Sequence, residues 1–363
     1  MTVEELIAQA KRERASDVHL VRGLTPRCRV DGDLQEMCPE VLTTQRCEEI
    51  ARELMGDVFD QAREIGEADL ALTIAGNRCR LNLFLQQGAW SAAIRLLNNH
   101  IPDMAELGLP KAATEFPAYS QGLVLITGET GSGKSTTLAS VLNQINKNEY
   151  KHILTLEDPI EYVYTPDKCV INQREMGKDT KSFAAGLRAA LREDPDVILV
   201  GEMRDLETIE TALTAAETGH LVFGTVHTNS AADSIDRIVD VFPAERQQQI
   251  RLQLSMSLKA VLSQQLLPKV GGGRVLAAEV MKVDGAIRNL IREGKTPQIV
   301  NAIQTTGSVG NILMDRCLQN LRSAGTITEE TYRAALRDQS QLDKAPGAPP
   351  TGGMQRPGFK RPF

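Results

Sequence analysis

The residues richest in chemistry are Gly128-Glu129-Thr130-Gly131-Ser132-Gly133-Lys134-Ser135, followed by Thr136. They satisfy G-x-x-x-x-G-K-[ST] at every fixed position. Glycines at those places let backbone amides turn inward around an anion, because no Cβ blocks the approach. The apolar lead-in Leu123-Val124-Leu125-Ile126 predicts a strand before the loop, and residues 135–145 predict a helix after it. The helix N-terminus adds partial positive charge. In that frame Lys134 reaches the β- and γ-phosphates of a nucleotide, and the Ser135 hydroxyl ligates Mg2+. ATP and Mg2+ are the expected cofactors. Glu129, an acid beside an anion site, is expected to point outward.

A phosphate loop by itself only binds. Hydrolysis also needs a metal partner and a group that orients water. The run Val197-Ile198-Leu199-Val200 predicts a strand that ends in Gly201-Glu202. Many enzymes with this loop carry Asp then Glu at that strand end. Glycine takes the first place here, so Glu202 is expected to stand alone and to hold the Mg2+ shell through a water. A second acidic cluster, Glu157-Asp158-Pro159-Ile160-Glu161, follows the predicted strand at 153–156. Carboxylates at a strand's C-terminal end lie where doubly wound sheets bind ligands. Glu161 is the candidate for activating the attacking water, with Glu157 and Glu202 as the alternatives. The plainer reading of the cluster is a solvated loop with a helix cap at Asp158. His220 and His227 bracket the predicted strand at 221–226. His227, at the ligand end, is expected to sense the γ-phosphate or to link nucleotide state to a neighbouring helix. His220 is expected to hold a loop.

The elements that position these groups need a large chain. Its 363 residues, 42% hydrophobic and 24% charged, suit about two domains with their own cores. Aromatics are only 4%, so cores are aliphatic and a base-stacking platform is not expected. A net charge of −6 argues against a nucleic-acid footprint or a polybasic membrane anchor. No run of about 18 apolar residues predicts a transmembrane helix. The acidic start, Met1-Thr2-Val3-Glu4-Glu5, does not resemble a signal peptide. Cys28, Cys38, Cys47, Cys79, Cys169 and Cys317 include no C-x-x-C pair, and are read as reduced thiols in a cytosolic protein.

Along the chain, residues 1–98 read as mixed α and β. Helices are expected at 2–15 and 43–55, and strands at 18–21, 26–30 and 70–74. Asp31-Gly32 and Gly76-Asn77 supply turns. Asn98-Asn99-His100-Ile101-Pro102 and Gly108-Leu109-Pro110 mark a linker over 99–112. Residues 113–270 alternate strand and helix. The apolar runs at 123–127, 153–156, 197–200, 221–226 and 275–280 predict a parallel sheet buried on both faces. The fold class is therefore α/β. Residues 271–342 read as one strand and then helices. The segment 343–363 holds five Pro, four Gly and a charge of +3, and is expected to be disordered.

The four functional segments, in this order, resemble the secretion-ATPase superfamily. They correspond to its Walker A (128–135), Asp box (157–161), Walker B (192–205) and His box (220–227). The stretch Leu191-Arg192-Glu193-Asp194-Pro195-Asp196-Val197-Ile198-Leu199-Val200-Gly201-Glu202-Met203-Arg204-Asp205 is close to that family's signature. Ala15-Ser16-Asp17-Val18-His19-Leu20 and the Asp31-Gly32 turn resemble its N-terminal PAS-like domain. The resemblance implies a RecA-like P-loop NTPase core behind a PAS-like α+β domain, with a helical C-terminal region. It also implies arginines that reach a γ-phosphate from the front domain. Arg80 and Arg95 match those positions, with Arg78 close enough to be confused with them. Ala286-Ile287-Arg288-Asn289-Leu290-Ile291-Arg292-Glu293 is similar to a motif of the pilus-retraction branch. By spacing alone it is an amphipathic helix with Ile287, Leu290 and Ile291 on its apolar face.

What the retraction branch implies is a homohexameric ATP hydrolase that disassembles type IV pili. It would act at the cytoplasmic face of the inner membrane, against the platform protein PilC. The tail and the N-terminal cysteines are not part of the shared pattern. Four alternatives stand beside this reading. An accessory retraction paralogue shares the same boxes. An assembly motor usually carries an extra N-terminal domain and a four-cysteine zinc element, whereas only Cys317 follows Cys169 here. A nucleic-acid translocase would need basic and aromatic surface. A non-hydrolysing regulator would lack the acids at 157, 161 and 202.

Overall fold

Two sheets divide the chain. The computed structural model describes residues 1–30, 32–97, 100–307 and 310–336. Asp31, Asn98, Asn99 and the tail expected at 343–363 lie outside the described residues.

The front domain opens with α1 (Val3–Arg12), then β1 (Asp17–Leu20), β2 (Arg27–Val30), β3 (Asp33–Glu36), α2 (Thr44–Met55), α3 (Phe59–Ile65), β4 (Glu67–Ile74), β5 (Asn77–Gln86) and β6 (Ala89–Leu96). A capping box starts α1: the Glu5 amide donates to Thr2 Oγ1 and the Thr2 amide donates to the Glu5 carboxylate. Its stripe Val3, Leu6, Ile7 and Ala10 is buried. The strands form one antiparallel sheet in the order β3-β2-β1-β6-β5-β4. Helices cover one of its faces over a core that includes Leu20, Leu81, Leu83 and Ile94. The turn expected at Gly76-Asn77 is displaced by one residue. Ala75 (φ +48°) and Gly76 (φ +72°) form it, and Asn77 already pairs with Ile74. A type I′ two-residue hairpin turn has positive φ at both central positions, which Ala75 and Gly76 supply.

The second domain runs β7 (Gly122–Thr127), α4 (Lys134–Asn148), β8 (His152–Glu157), β9 (Val170–Glu175), α5 (Phe183–Ala190), β10 (Val197–Val200), α6 (Leu206–Glu217), β11 (Leu221–Val226), α7 (Ala231–Asp240), α8 (Ala244–Ser257), β12 (Leu258–Pro268) and β13 (Arg274–Lys282). Its sheet has the order β13-β12-β7-β11-β10-β8-β9. The runs of Val, Ile and Leu in β7, β10 and β11 are buried along their whole length, as strands covered by helices on both faces must be.

All neighbours in this sheet are parallel except β12 and β13. The run at 275–280, expected in the parallel set, is antiparallel because only a short glycine turn joins it to β12. Position 270 falls in that turn, and the core sheet continues to Lys282. The helices α9 (Gly285–Arg292), α10 (Ile299–Thr305), α11 (Met314–Ser323) and α12 (Glu329–Ala335) follow. Among the described residues no helix is long and apolar enough to cross a membrane.

Candidate functional site

Four adjacent parallel strands deliver the candidate residues to one edge of the sheet. The phosphate loop follows β7, Glu157 ends β8, Glu202 follows β10 and His227 follows β11. In a doubly wound sheet the carboxyl ends of the strands are the ligand edge.

The loop is shaped by its glycines and propped from behind. Gly128, Gly131 and Gly133 have positive φ, and α4 begins at Lys134 with its free amides toward the loop. Gln264 of β12 donates from Nε2 to Ser132 O at 2.7 Å, and its own backbone oxygen occupies the space a Cβ at Gly128 would need. Thr127 Oγ1 donates to Ser263 Oγ at 2.8 Å. No clean sequence signal marks β12, because its polar Ser263-Gln264-Gln265 centre interrupts the apolar run. Lys134 Nζ donates to Gly128 O at 2.8 Å and to Glu129 O at 2.9 Å. Burial lowers the affinity of this amine for its proton, and the carboxylates of Glu202 and Glu161 pull it back up. Thr136 Oγ1 is hydrogen-bonded to the Tyr162 hydroxyl at 2.9 Å. Glu129 is exposed and accepts from Asn229 Nδ2 at 3.2 Å.

Beneath the loop, Ser135, Glu157, Glu161, Gly201, Glu202 and Thr225 line one cavity of about 80 Å3. The three carboxylates differ in environment. Burial pushes the Glu157 carboxyl up, against hydrogen bonds donated to Oε1 by Thr155 Oγ1 (2.6 Å) and Gln173 Nε2 (3.2 Å); Glu161 pushes it up further. Glu161 is exposed to solvent. No helix follows Asp158, so the cap reading of this cluster falls. Glu202, the lone acid at this strand end, has side-chain partners. Its Oε1 meets His227 Nε2 at 2.8 Å and is also paired with Arg204 Nε. The glycine before it has a steric cause: a Cβ at Gly201 would lie 2.9 Å from Leu156 O and 3.3 Å from Glu157 Cα. An aspartate does not fit there.

A second, wider cavity of about 820 Å3 opens on the other side of the loop. Glu129, Thr130, Arg204, His227 and Arg237 line it. Arg204 and Arg237 were not singled out by sequence; that Arg204, after β10, and Arg237, on α7, face one cavity is visible only in three dimensions. His220 stays out of both cavities, with Nδ1 2.9 Å from Ala215 O at the end of α6.

The three front-domain arginines separate. Arg80 and Arg95 stand directly opposite each other on β5 and β6, both exposed. Like charges in register repel, and Arg95 is drawn to Asp17, Nε to Oδ1 2.9 Å. Neither lines the phosphate-loop cavities of its own chain. Arg78 is turned inward and pairs with Glu175 of the core at 2.5 Å. In α9, Ile287 and Ile291 are fully buried and Leu290 is half-buried, while Ala286, Arg288, Arg292 and Glu293 are exposed. Asn289 Nδ2 donates to Glu293 Oε1 at 2.8 Å.

Known proteins match this chain over most of its length. The family model described as type II/IV secretion system protein matches residues 1–333. The type IV pilus retraction ATPase PilT of Pseudomonas aeruginosa is 50% identical over 335 residues, covering 92% of this chain and 97% of that protein. A twitching motility protein of Neisseria gonorrhoeae is 45% identical over 325 residues, 88% of this chain and 86% of that one. A crystal structure of the pilus retraction motor PilT with bound ADP superposes with a TM-score of 0.90 at 47% identity, covering 95% of this chain and 100% of that one. A match of that extent leaves one assignment: the chain belongs to the type II/IV secretion system protein family, and its likeness within that family is to PilT.

Proposed function

We propose that this chain is an ATP-hydrolysing motor that powers type IV pilus retraction, the pilin disassembly behind twitching motility. The observation that carries the chemistry is the convergence of Ser135, Glu157, Glu161 and Glu202 on one cavity under the phosphate loop. The retraction assignment follows from end-to-end likeness to PilT.

ATP lies with its β- and γ-phosphates against the amides of residues 128–135, and the Lys134 ammonium leaves the loop carbonyls for phosphate oxygens. The Ser135 hydroxyl and the Glu202 carboxylate are oxygen donors, the kind of set that suits Mg2+. These donors would hold the ion so that it neutralises charge on the β- and γ-phosphates. Glu161 takes the proton of the attacking water, and Glu157 shapes the loop that carries it. His227 holds Glu202 and reports the γ-phosphate to α7. Arg80 and Arg95 serve the γ-phosphate of a neighbouring copy, which makes a closed homohexamer the working unit. ATP turnover then swings the front domain against the core. The exposed side of α9 belongs to retraction itself. The motor works at the cytoplasmic face of the inner membrane, on the platform protein PilC.

Deletion of the gene followed by electron microscopy of the cells tests this reading. Excess pili that do not retract, uncorrected by a Lys134→Ala copy, are expected. Bald cells would mean an assembly motor instead, and unchanged pili would remove the assignment altogether.

A further inference from the structure

The seam between front domain and core is held by charge at one point. Glu175, at the end of β9, is 4% exposed. Its Oε2 accepts from Arg78 Nη2 at 2.5 Å and from the Ile160 amide at 3.2 Å. Arg78 Nε in turn donates to Ile160 O at 3.2 Å. Both backbone groups of Ile160 are thus taken by one ion pair, whose arginine comes from β5 of the front domain. The next residue is Glu161. Lys178 adds a second strap: its Nζ meets Glu175 Oε1 at 2.5 Å and donates to Ala71 O of β4 at 2.8 Å.

Beside the clamp the seam is not filled. A cavity of about 360 Å3 lies between α3, β4 and the acidic loop, with Ile65, Leu70, Arg80, Pro159 and Met176 on its walls. Close packing transmits and resists motion, and a void releases it. The void leaves the front domain room to tilt over the core, and Arg78, on β5, would move with it.

We propose that Arg78 and Glu175 are positioning residues for hydrolysis: the pair clamps the Ile160 backbone and so sets the place of Glu161 according to the tilt of the front domain. The clamp transmits domain movement to the hydrolytic carboxylate, and the straps from Lys178 keep Glu175 in register. This rests on the reading that Glu161 acts in hydrolysis.

The test uses the full-length assembled protein. Arg78→Met, Glu175→Gln and the double variant are assayed for ATP turnover, for KM and for binding of a fluorescent ADP analogue. A displacement of the order of 1 Å at a reacting group costs up to about a hundredfold. The expected result is a kcat lowered about tenfold or more with KM and ADP affinity unchanged, and a double variant no worse than the worse single one. Arg78→Lys, which keeps the charge but loses the second donor, is expected to recover only part of the rate. Where Arg78→Met or Glu175→Gln does not fold, Lys178→Met, on a half-exposed side chain, carries the same split at smaller size. Unchanged kcat, or kcat and ADP affinity falling together, overturns the proposal. A Glu161→Gln control that keeps full turnover overturns the hydrolytic reading beneath it, whatever the clamp variants do.

Discussion

Glu202 Oε1 lies 2.8 Å from His227 Nε2, so the ends of β10 and β11 are joined by a side-chain contact across the nucleotide edge. The same oxygen is paired with Arg204. A carboxylate engaged in this way is pre-oriented, and an interaction that matters mainly in the transition state shows in kcat rather than in binding. His227→Ala is expected to lower kcat about tenfold and to leave ADP affinity within about twofold. Steady-state ATPase kinetics with nucleotide titration check it, and an equal loss of affinity would return His227 to a binding role.

Glu161→Gln keeps the shape of the cavity and removes the base proposed above. The variant is expected to bind ATP normally and to turn it over at least about a hundredfold more slowly. Near-normal turnover would move the base to Glu157 or Glu202, and the same measurement on Glu157→Gln and Glu202→Gln would decide between them.

Glu157 gives a stability prediction with a definite sign. Burial raises its folded-state pKa above the unfolded value, so the folded chain binds the proton more tightly. Stability is then lost as pH rises from the ordinary carboxylate range through the raised value. Glu157→Gln removes the cost of ionising a desolvated group. Its melting temperature is expected to exceed that of the parent by about 2–4 °C at pH 8. The gap should close near pH 4, where both folded and unfolded parent are largely protonated. Thermal unfolding at the two pH values reads it; a gap that widens on acidification contradicts the assigned cause.

Gly201 is small because Leu156 O is 2.9 Å from where its Cβ would stand. Gly201→Ala is expected to cost about 1–3 kcal/mol in stability. Because the neighbouring strand end carries Glu157, turnover should fall as well. Gly201→Asp, which would mimic the Asp-Glu pair of other P-loop enzymes, should be worse than Gly201→Ala. Chemical denaturation beside ATPase assays measures both effects.

The two sides of α9 predict opposite outcomes. Arg288 is exposed, so Arg288→Ala should leave folding, assembly and ATPase activity intact while abolishing retraction in cells. Ile291 is fully buried, so Ile291→Ala should cost about 2–5 kcal/mol and reduce every activity together. Twitching assays paired with melting temperatures separate the cases. A destabilised Arg288→Ala would make the helix purely structural.

Local patterns in the chain were enough for the phosphate loop, the strands before the acids and the amphipathic α9. Each of these rests on residues within a few positions of one another. Glycine spacing sets the loop's backbone, unbroken Val-Ile-Leu runs require burial on both faces, and Ile287 and Ile291 repeat at helical period. The polar-centred β12 and the antiparallel direction of β13 were not legible in that way. Their partners are set by connections and by burial from both sides, not by local propensity.

From its amino acids alone the chain marked the groups expected to meet a nucleotide: a glycine loop with Lys134 and Ser135, and carboxylates at 157, 161 and 202. Only the folded molecule decided how those groups are employed. It tied Glu202 to His227, desolvated Glu157, propped the loop with Gln264, and separated an inward Arg78 from the outward Arg80 and Arg95. The reason is physical. A motif fixes chemistry through residues close in sequence, whereas partners, burial and the direction of a strand's side chains arise from pairings between distant segments.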